Sequence, residues 1–311
     1  MKKEEFLNLP LDSIRRLIHD NGGITAVFPI NGTRRWYQLE YPPDESVPDP
    51  IMDYIFTAGK VHVDLCQLFF RLGVDTLVTP IFDEVMLGRN SEYARLAAEG
   101  LLYIAEGKEF NQLFDEFDVR VSFYGHYQEC FRGTRLEPLE AKFATLTERT
   151  RNHNSYRLFF GVCASDEAAV IISETLKFYG KYGTKPNREE LIRHFYGEPL
   201  KEADIFIGFG KFSIFGIPLL TTSNEDYYFT VSPSMYMTEQ QLREIIYDRL
   251  FGRPGDNNSY ANLSPEDQDL MRQFYRANIG NTLGVGGKQK RGTYWYPLPK
   301  VILPEGFDDG F

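Results

Sequence analysis

Residues 27–36 of the chain read Val27-Phe28-Pro29-Ile30-Asn31-Gly32-Thr33-Arg34-Arg35-Trp36. A short apolar run stops at a proline, a small polar turn follows, and two adjacent arginines precede one of the two tryptophans. A buried strand followed by such a turn indicates a phosphate-binding site. The backbone can come close to a phosphate at Gly32, Thr33 adds a hydroxyl, and the guanidinium groups donate paired hydrogen bonds. The alternative is a surface loop with two solvated arginines, which is the commoner meaning of an isolated Arg-Arg pair.

The composition is that of a globular protein. The 311 residues suffice for one large α/β domain or two smaller ones, with 42% apolar and 25% charged residues. No run of eighteen apolar residues occurs, so we expect no membrane span, and the N-terminus leads into no secretory segment, which favours the cytoplasm. A net charge of −10 argues against nucleic acid as a partner, so an anion site must be a local basic pocket.

Cysteine and histidine form no metal-ligand pattern in the sequence, and no protein-held metal is predicted. Cys66, Cys130 and Cys163 lack CxxC spacing and are interpreted as buried small hydrophobic residues. His62 lies on the apolar stripe of a predicted helix, which favours a core histidine. The 25 phenylalanines and 19 tyrosines either line an apolar pocket or belong to the core.

Strand and helix patterns alternate along the chain. They predict one α/β domain over residues 1–311, with a mostly parallel six-stranded sheet flanked by helices. The predicted strands are residues 24–28, 76–80, 119–124, 157–162, 204–208 and 227–230. Ligands of such sheets bind beyond the carboxyl ends of the strands. That rule places four segments around one crevice: residues 31–35, 80–82, 125–127 and 209–213. Residues 284–288 read as a closing phosphate loop or as a turn in the tail.

The order of these signals resembles the cis-prenyltransferase family, that of undecaprenyl diphosphate synthase. Residues 31–36 are similar to the family's Asp-Gly-Asn-x-Arg-Trp, and residues 119–126 to Val-Arg-Val-x-Phe-x-Gly-Asp. Residues 211–215 match Arg-x-Ser-x-Phe. A closer resemblance, from about residue 5 to residue 285, is to the tuberculosinol synthase/tuberculosinyl adenosine transferase type, which includes the kolavelool synthases. Its matching stretches are residues 6–11, 32–36, 203–215 and 228–239.

This resemblance implies an activity. Such enzymes take a bicyclic C20 allylic diphosphate of the labdane, halimane or clerodane type from a class II diterpene cyclase. They release diphosphate and quench the cation with water or, in one case, adenosine. We therefore expect a diterpene synthase that produces a diterpene alcohol. The family also implies a homodimer, the cyclase as functional partner and Mg²⁺ bound with the diphosphate.

The resemblance also implies roles for particular residues. Arg34 and Arg35 match the diphosphate-binding arginines, and Tyr54 matches a tyrosine of the active site. Asn31 stands where the family has aspartate, which weakens Mg²⁺ binding but leaves an amide that can orient a water molecule. The uncharged segment 205–210 lacks the arginine that grips a second diphosphate, so condensation with isopentenyl diphosphate is not expected.

The remaining candidates are substrate-binding residues. Gly32, Thr33 and Arg89 would gather the charge of the leaving diphosphate, and Phe82 and Tyr124 would face the cation. Lys211 and Ser213 either contact the diphosphate or remain from a lost second site.

A second function class is a non-catalytic prenyl-diphosphate-binding subunit. Asn31 favours this class, whereas the pair Arg34 and Arg35, together with Tyr54, favours an enzyme.

Overall fold

The computed structural model describes residues 1–86, 88, 91–253, 263–291, 294–298 and 301–305, with Ser91 described by its backbone alone. These residues form eight strands: β1 Thr25–Val27, β2 Thr76–Phe82, β3 Val119–Tyr124, β4 Tyr156–Val162, β5 Ile205–Phe209, β6 Asp226–Thr230, β7 Gly286–Lys288 and β8 Trp295–Pro297. The first six form one sheet in the order β3-β4-β2-β1-β5-β6, and every neighbouring pair is parallel. The predicted single α/β fold with a six-stranded sheet is confirmed.

The described residues contain twelve α-helices. They are α1 Lys3–Leu7, α2 Leu11–Asp20, α3 Thr33–Glu40, α4 Pro50–Arg71, α5 Ser91–Glu106, α6 Lys108–Glu116, α7 Tyr127–Phe131, α8 Leu139–Thr150, α9 Glu167–Tyr182, α10 Arg188–Tyr196, α11 Glu239–Tyr247 and α12 Pro265–Ala277. A short 3-10 turn covers Ser234–Tyr236. None of the described helices is long and apolar enough to cross a membrane.

Strand β1 occupies the middle of the sheet, and its position explains its apolar sequence. All three of its residues are buried, since apolar clusters cover both faces of the sheet. At its start, the backbone N–H of Thr25 donates to the Asp204 carboxylate at 2.8 Å. The carboxyl end of β1 therefore delivers residues 28–33 to the centre of one sheet edge, where parallel sheets place their ligands.

Capping boxes begin two of the helices: Asn187 pairs with Glu190 at the start of α10, and Thr238 pairs with Gln241 at the start of α11. The arginine pair lies in α3 rather than in the predicted turn. Helix α6 begins directly after Gly107. Of residues 284–288, for which the sequence left a phosphate loop or a turn open, residues 286–288 form β7 and pair with β8 in a short antiparallel hairpin.

The cysteines and His62 lie where the sequence indicated. Cys66 and Cys163 are buried, Cys130 is half-buried, and all three are free thiols. His62 is 9% exposed in α4, against the rings of Phe110 and Phe160. The predicted burial is confirmed for Cys66, Cys163 and His62, whereas Cys130 is only half-buried.

Candidate active site

A cavity of about 590 Å³ opens above the carboxyl ends of β1 and β2 and runs between α4 and α5. Its volume lies within the range of small-molecule sites. The lining contains residues 30–35, Pro80–Asp83, nine positions of α4 and α5 that carry aliphatic or tyrosine side chains, and the turn Phe215–Gly216. Those nine positions are Tyr54, Ile55, Ala58, Tyr93, Leu96, Ala97, Leu101, Tyr103 and Ile104.

Helix α3 begins at the mouth of this cavity. Gly32 precedes its first residue with φ of +78°, and a Cβ there would lie 2.9 Å from the Phe209 ring and 3.0 Å from Pro233. Only glycine adopts this conformation readily and also fits the space. The first intrahelical bond runs from the Trp36 N–H to the Gly32 carbonyl at 2.9 Å. The preceding N–H groups of α3 thus have no helical acceptor, and the first turn carries no acidic residue, so this end of the helix favours an anion.

Arg34 and Arg35 lie in that first turn and line the cavity. The guanidinium of Arg34 is 5.5 Å from the Tyr93 ring centre, and that of Arg35 is 5.6 Å from the Phe209 ring centre. Aromatic faces hold guanidinium groups without neutralising them. Neither arginine pairs with a carboxylate in the described part of the chain, so both positive charges remain available to an anion at the cavity mouth.

Asn31 is fixed through its backbone. Its N–H donates to the Ser234 hydroxyl oxygen at 3.1 Å, and the Ser234 N–H donates to the Asn31 carbonyl at 3.1 Å. The Ser234 hydroxyl donates in turn to the Pro29 carbonyl at 3.3 Å. Ser234 is almost fully buried, at 1% exposure. These bonds leave the Asn31 amide as a lining group held at the mouth, beside the start of α3.

Tyr54 joins α4 to the same mouth. Its hydroxyl and that of Thr33 lie 2.6 Å apart, and the Tyr54 ring meets the Tyr37 ring edge-on at 5.2 Å. Burial raises the pKa of Tyr54, although the hydrogen bond with Thr33 and the nearby Arg34 oppose the shift. The phenol therefore stays protonated at neutral pH and is able to donate a hydrogen bond.

The cavity has a polar end and an apolar end, because α4 and α5 run side by side in the same direction. At their starts, Arg95 of α5 pairs with Asp49, the residue that caps α4, at 2.5 Å. Farther along, the α4 and α5 backbones approach where a Cβ on Gly59 would lie 2.2 Å from the Tyr103 ring. Phe110 of α6 lines this second end. Charge is thus gathered at the mouth and aromatic surface at the deep end.

The structure brings together most of the sequence-predicted residues. Those that line the cavity are Asn31, Gly32, Thr33, Arg34, Arg35, Tyr54 and Phe82. Arg89 lies outside the described residues. The segments 125–127 and 209–213 do not line the cavity. The first follows β3, an edge strand separated from β2 by β4, and the second extends beyond β5 on the other side of β1.

Three predicted substrate-binding residues lie elsewhere. Tyr124 is a core residue, 1% exposed, whose hydroxyl donates to the Gly216 carbonyl at 2.7 Å and whose ring packs on Tyr196. It therefore cannot present its face to a cation in the cavity. Lys211 is exposed and Ser213 half-buried on the β5–β6 connection, and neither belongs to the lining.

Sequence reasoning missed three residues of the site. Tyr93 stacks against Arg34, Ser234 fixes Asn31, and Asp83 supplies the one carboxylate among the described lining residues. Asp83 directly follows β2 and lies three residues beyond the predicted end of that strand, so its position near a carboxyl end was a usable signal. Tyr93 and Ser234 reach the mouth only through the packing of α5 and of the turn after β6.

The buried imidazole of His62 gives the protein a pH-dependent stability. Burial lowers its pKa to about 4 from 6.5, so the folded chain binds fewer protons at this site than the unfolded chain. The stability is complete above pH 6.5 and is lost as the pH falls toward 4. At pH 5 the loss is about 2 kcal/mol. Urea unfolding at pH 7 and pH 5 measures it, and His62→Phe, which has no titrating group, should lose less on acidification. An equal loss in both proteins would contradict this expectation.

The fold of the protein is shared with solved structures. The structure is similar to that of lavandulyl diphosphate synthase from Lavandula x intermedia in complex with dimethylallyl diphosphate. The TM-score is 0.59 at 12% identity, over 74% of this chain and 96% of that one. A probable undecaprenyl diphosphate synthase from Campylobacter jejuni matches with a TM-score of 0.53 at 14% identity, over 75% and 98% of the two chains. The protein thus has the cis-prenyltransferase fold.

Sequence comparison narrows the class. No family model matches the chain. It is 35% identical over 288 residues to tuberculosinyl adenosine transferase of Mycobacterium tuberculosis, which covers 92% of this chain and 95% of the relative. It is 23% identical over 307 residues to (+)-kolavelool synthase of Herpetosiphon aurantiacus, with 97% of each chain covered. The chain belongs to the tuberculosinyl adenosine transferase family of the cis-prenyltransferase fold. Its relatives are enzymes of terpene and isoprenoid biosynthesis.

Proposed function

We propose that the protein is a diterpene synthase that ionises a bicyclic C20 allylic diphosphate and quenches the cation with water, which yields a diterpene alcohol and diphosphate. The substrate would be of the labdane, halimane or clerodane type and would come from a class II diterpene cyclase. Support comes from the names of the two relatives and from the chemistry of the cavity. As a member of this family, the protein is also proposed to form a homodimer in solution.

The observation that carries the proposal is the direct junction of an anion site and an apolar slot. The N-terminus of α3, with Arg34 and Arg35, opens into a cavity of about 590 Å³ whose deeper walls are apolar and aromatic. An allylic diphosphate has the same division, with a charged head on a hydrocarbon body. Donors placed where the leaving group gains charge lower the barrier to ionisation, while dry walls protect the cation.

The residues at the mouth of the cavity have different roles in this mechanism. Arg34, Arg35 and the N–H groups of α3 hold the diphosphate as the C–O bond breaks. The rings of Tyr54 and Phe82 border the cavity beside this site and stabilise positive charge through their faces. The Asn31 amide orients a water molecule, whose oxygen bonds to the allylic carbon and whose proton passes to solvent or to the departing diphosphate. A carbocation needs only weak assistance from a base, so an amide suffices.

In this proposal Mg²⁺ would bind to the protein only together with the diphosphate of the substrate. The described residues contain no group of three His, Cys, Asp or Glu side chains that could hold a metal by themselves. Mg²⁺ commonly binds one or two carboxylates together with substrate phosphates. The residues of the cavity offer this pattern only in part: Asp83 supplies the one carboxylate and Asn31 the one side-chain amide among the described lining residues. When bound, the ion would neutralise phosphate charge. Turnover with and without a chelator tests its need.

The decisive experiment measures diphosphate release and organic products in one reaction. Purified protein is incubated with bicyclic C20 diphosphates of the three skeletal types, and products are separated by gas chromatography. We expect release of diphosphate together with an alcohol. Tight binding of these substrates without release would instead establish the non-catalytic subunit.

Transfer of the C20 group to adenosine is the second candidate. It is favoured by the relative that is 35% identical, which is an adenosine transferase. Adding adenosine to the same reaction distinguishes the two outcomes. A nucleoside adduct that grows at the expense of the alcohol would replace water with adenosine as the nucleophile.

The size of the slot gives a prediction at Gly100 of α5. Gly100 lines the cavity, and a Cβ on it would meet no atom within 4 Å. We expect Gly100→Leu to lower kcat/KM for a C20 diphosphate about 10- to 200-fold, because the added methylenes occupy substrate space. Helix stability should rise by up to about 1 kcal/mol, since glycine is a poor helix former.

The matched control for this change is Gly180→Leu. Gly180 lies in α9, is exposed, and also has open space around a Cβ. Gly180→Leu should leave kcat/KM for the C20 substrate unchanged. In Gly100→Leu, kcat/KM for a C10 diphosphate should fall less than kcat/KM for the C20 substrate. Equal losses of kcat/KM for the C10 and C20 substrates would show that Gly100 does not contact the hydrocarbon part of the substrate.

A further inference from the structure

The C-terminal segment, residues 270–303, has a charge unlike that of the rest of the chain. It contains six lysines and arginines and no aspartate or glutamate, whereas the whole chain has a net charge of −10. Lys288 ends β7, and Lys290 and Arg291 lie in the turn after it. All three are exposed, and none pairs with a carboxylate in the described part of the chain. This positive charge lies outside the cavity lining and has no role in the proposed mechanism.

Large apolar side chains of the same segment are exposed as well. Ile279 is 89% exposed and Leu283 is 80% exposed, and helix α12, which precedes them, buries none of its residues. Other exposed apolar or aromatic residues of the segment are Val285, Tyr294, Trp295, Tyr296, Leu298 and Ile302. Exposed apolar surface of this extent marks a site that binds a protein or a membrane.

Hydrogen bonds and ring packing give the segment a defined shape. The Asn278 side chain accepts a hydrogen bond from the Ile302 N–H at 2.9 Å and donates one to the Ile302 carbonyl at 2.7 Å. In the hairpin of β7 and β8, the Trp295 ring lies against Gly286 and the Tyr296 ring against Gly287, where a Cβ would collide with each ring. The aromatic rings are therefore held beside the basic turn.

Phe212 of the β5–β6 connection attaches the segment to the sheet. Its ring centre lies 6.0 Å from that of Trp295 and 4.7 Å from that of Phe229. A Cβ on Gly284 would lie 3.0 Å from the same ring. Three residues after Phe212, Phe215 lines the cavity. A surface bound by the segment therefore lies beside one wall of the cavity.

We propose that the C-terminal segment binds the surface of a membrane that contains anionic lipids. Negative headgroups attract lysine and arginine, and tryptophan and tyrosine rings prefer the boundary between water and hydrocarbon. The aliphatic side chains of Ile279 and Leu283 would enter the outermost hydrocarbon. A polar, acidic protein surface would pair with the basic residues but would not bury these apolar ones. Binding of this kind needs no membrane-spanning helix and does not depend on the proposed chemistry.

The test titrates the full-length protein with lipid vesicles and follows tryptophan fluorescence. Trp36 is buried, at 6% exposure, whereas Trp295 is 38% exposed, so a shift of the emission to shorter wavelength reports that Trp295 leaves water. We expect binding to vesicles of phosphatidylglycerol and phosphatidylcholine in equal parts and little binding to phosphatidylcholine alone. Added salt should lower the affinity, because it screens the attraction. Co-sedimentation with the vesicles measures the partition coefficient independently.

Neutralising the basic turn should remove most of this affinity. The combined variant Lys288→Gln, Lys290→Gln and Arg291→Gln should partition about 100-fold more weakly into the anionic vesicles, because each basic residue near such a surface contributes roughly fivefold. All three side chains are exposed and form no ion pair with described residues, so the variant should unfold at the temperature of the wild-type protein.

The matched control replaces three exposed basic residues of α9, α10 and their connection with glutamine: Lys181, Lys185 and Arg193. It has the same net charge as the first variant and should bind the vesicles like the wild-type protein. Ile279→Ser with Leu283→Ser keeps every charge and should weaken binding at least about tenfold, because two aliphatic side chains lose their burial in lipid. Thermal unfolding shows whether each variant is folded.

Several results would overturn the proposal. They are equal binding to the neutral and the anionic vesicles, no binding to either, and an unchanged partition coefficient after neutralisation of the basic turn. Failure to bind vesicles, combined with self-association that this neutralisation abolishes, would assign the segment to an acidic surface of a second copy instead. Diphosphate release is measured without lipid, so each of these results leaves the proposed function as it stands.

Discussion

Replacing Arg34 or Arg35 with alanine is expected to slow diphosphate release about 10²–10³-fold each, because each arginine donates to the leaving group as charge develops on it. Both are exposed residues of the first turn of α3 and line the cavity, and neither pairs with a carboxylate in the described chain. Their removal breaks no internal ion pair there, so unfolding temperatures should change little. Release of diphosphate from a bicyclic C20 substrate is the measurement.

The matched control is Arg193→Ala, which removes an exposed helical arginine of α10 outside the cavity lining. It should retain full activity. Arg35→Lys provides a finer comparison, since an ammonium keeps the charge but loses the planar pair of donors. We expect an intermediate rate for it. Full turnover in both alanine variants would mean that the diphosphate binds elsewhere, and a matching loss of thermal stability would make the arginines structural.

Replacing Asn31 should change the product rather than the ionisation. Its amide is the group proposed to hold the quenching water, and its backbone is fixed by Ser234. In Asn31→Ala the cation loses a proton before water adds, so the alcohol-to-alkene ratio should fall about tenfold or more. This effect is smaller than the roughly 10²–10⁴-fold of a full general base, because an amide only orients the water molecule. Gas chromatography of the products measures this ratio.

Asn31→Asp should act in the opposite direction. A carboxylate binds the same water more strongly and accepts its proton, so the alcohol share should be maintained or rise. It also offers Mg²⁺ a better ligand, so turnover should become more sensitive to chelator than in the parent. Arg34→Lys, which slows ionisation without touching the water, is the control and should leave the ratio unchanged. An unaltered ratio in Asn31→Ala would remove this residue from the mechanism.

The parallel sheet and the position of the cavity mouth were predictable, because short stretches of sequence determine both. Short apolar runs between helical patterns identify buried parallel strands, and the site of β1 follows from where such strands end. The role of Gly32 was also predictable, since a glycine in a polar turn after a strand indicates a close approach of the backbone. The helical state of the arginine pair was not predicted, because Thr33–Glu40 has few apolar residues to show a helical period.

The rest of the site depends on packing that a single sequence does not display. Tyr124 stands at the carboxyl end of a strand, where a lining residue is expected, yet the Gly216 carbonyl accepts its hydroxyl and the ring is buried in the core. Tyr93 enters the mouth because α5 runs alongside α4, a direction fixed by tertiary contacts such as Arg95 with Asp49. His62 was identified as a buried histidine, but its place on the cavity wall depends on how α4 is rotated.

The bonds between Asn31 and Ser234 also have a consequence for the order in which the protein matures. The two residues are 203 positions apart, and β1 must also pair with β5, so the mouth depends on contacts of very long sequence separation. Such contacts form late, because the entropy of closing a large loop is lost before the contact is gained. During synthesis the arginines emerge early, but their site closes only after the ribosome has released residue 234. A nascent chain that ends before this point carries the phosphate motif without a receptor, and the substrate meets a finished pocket only on the full-length protein.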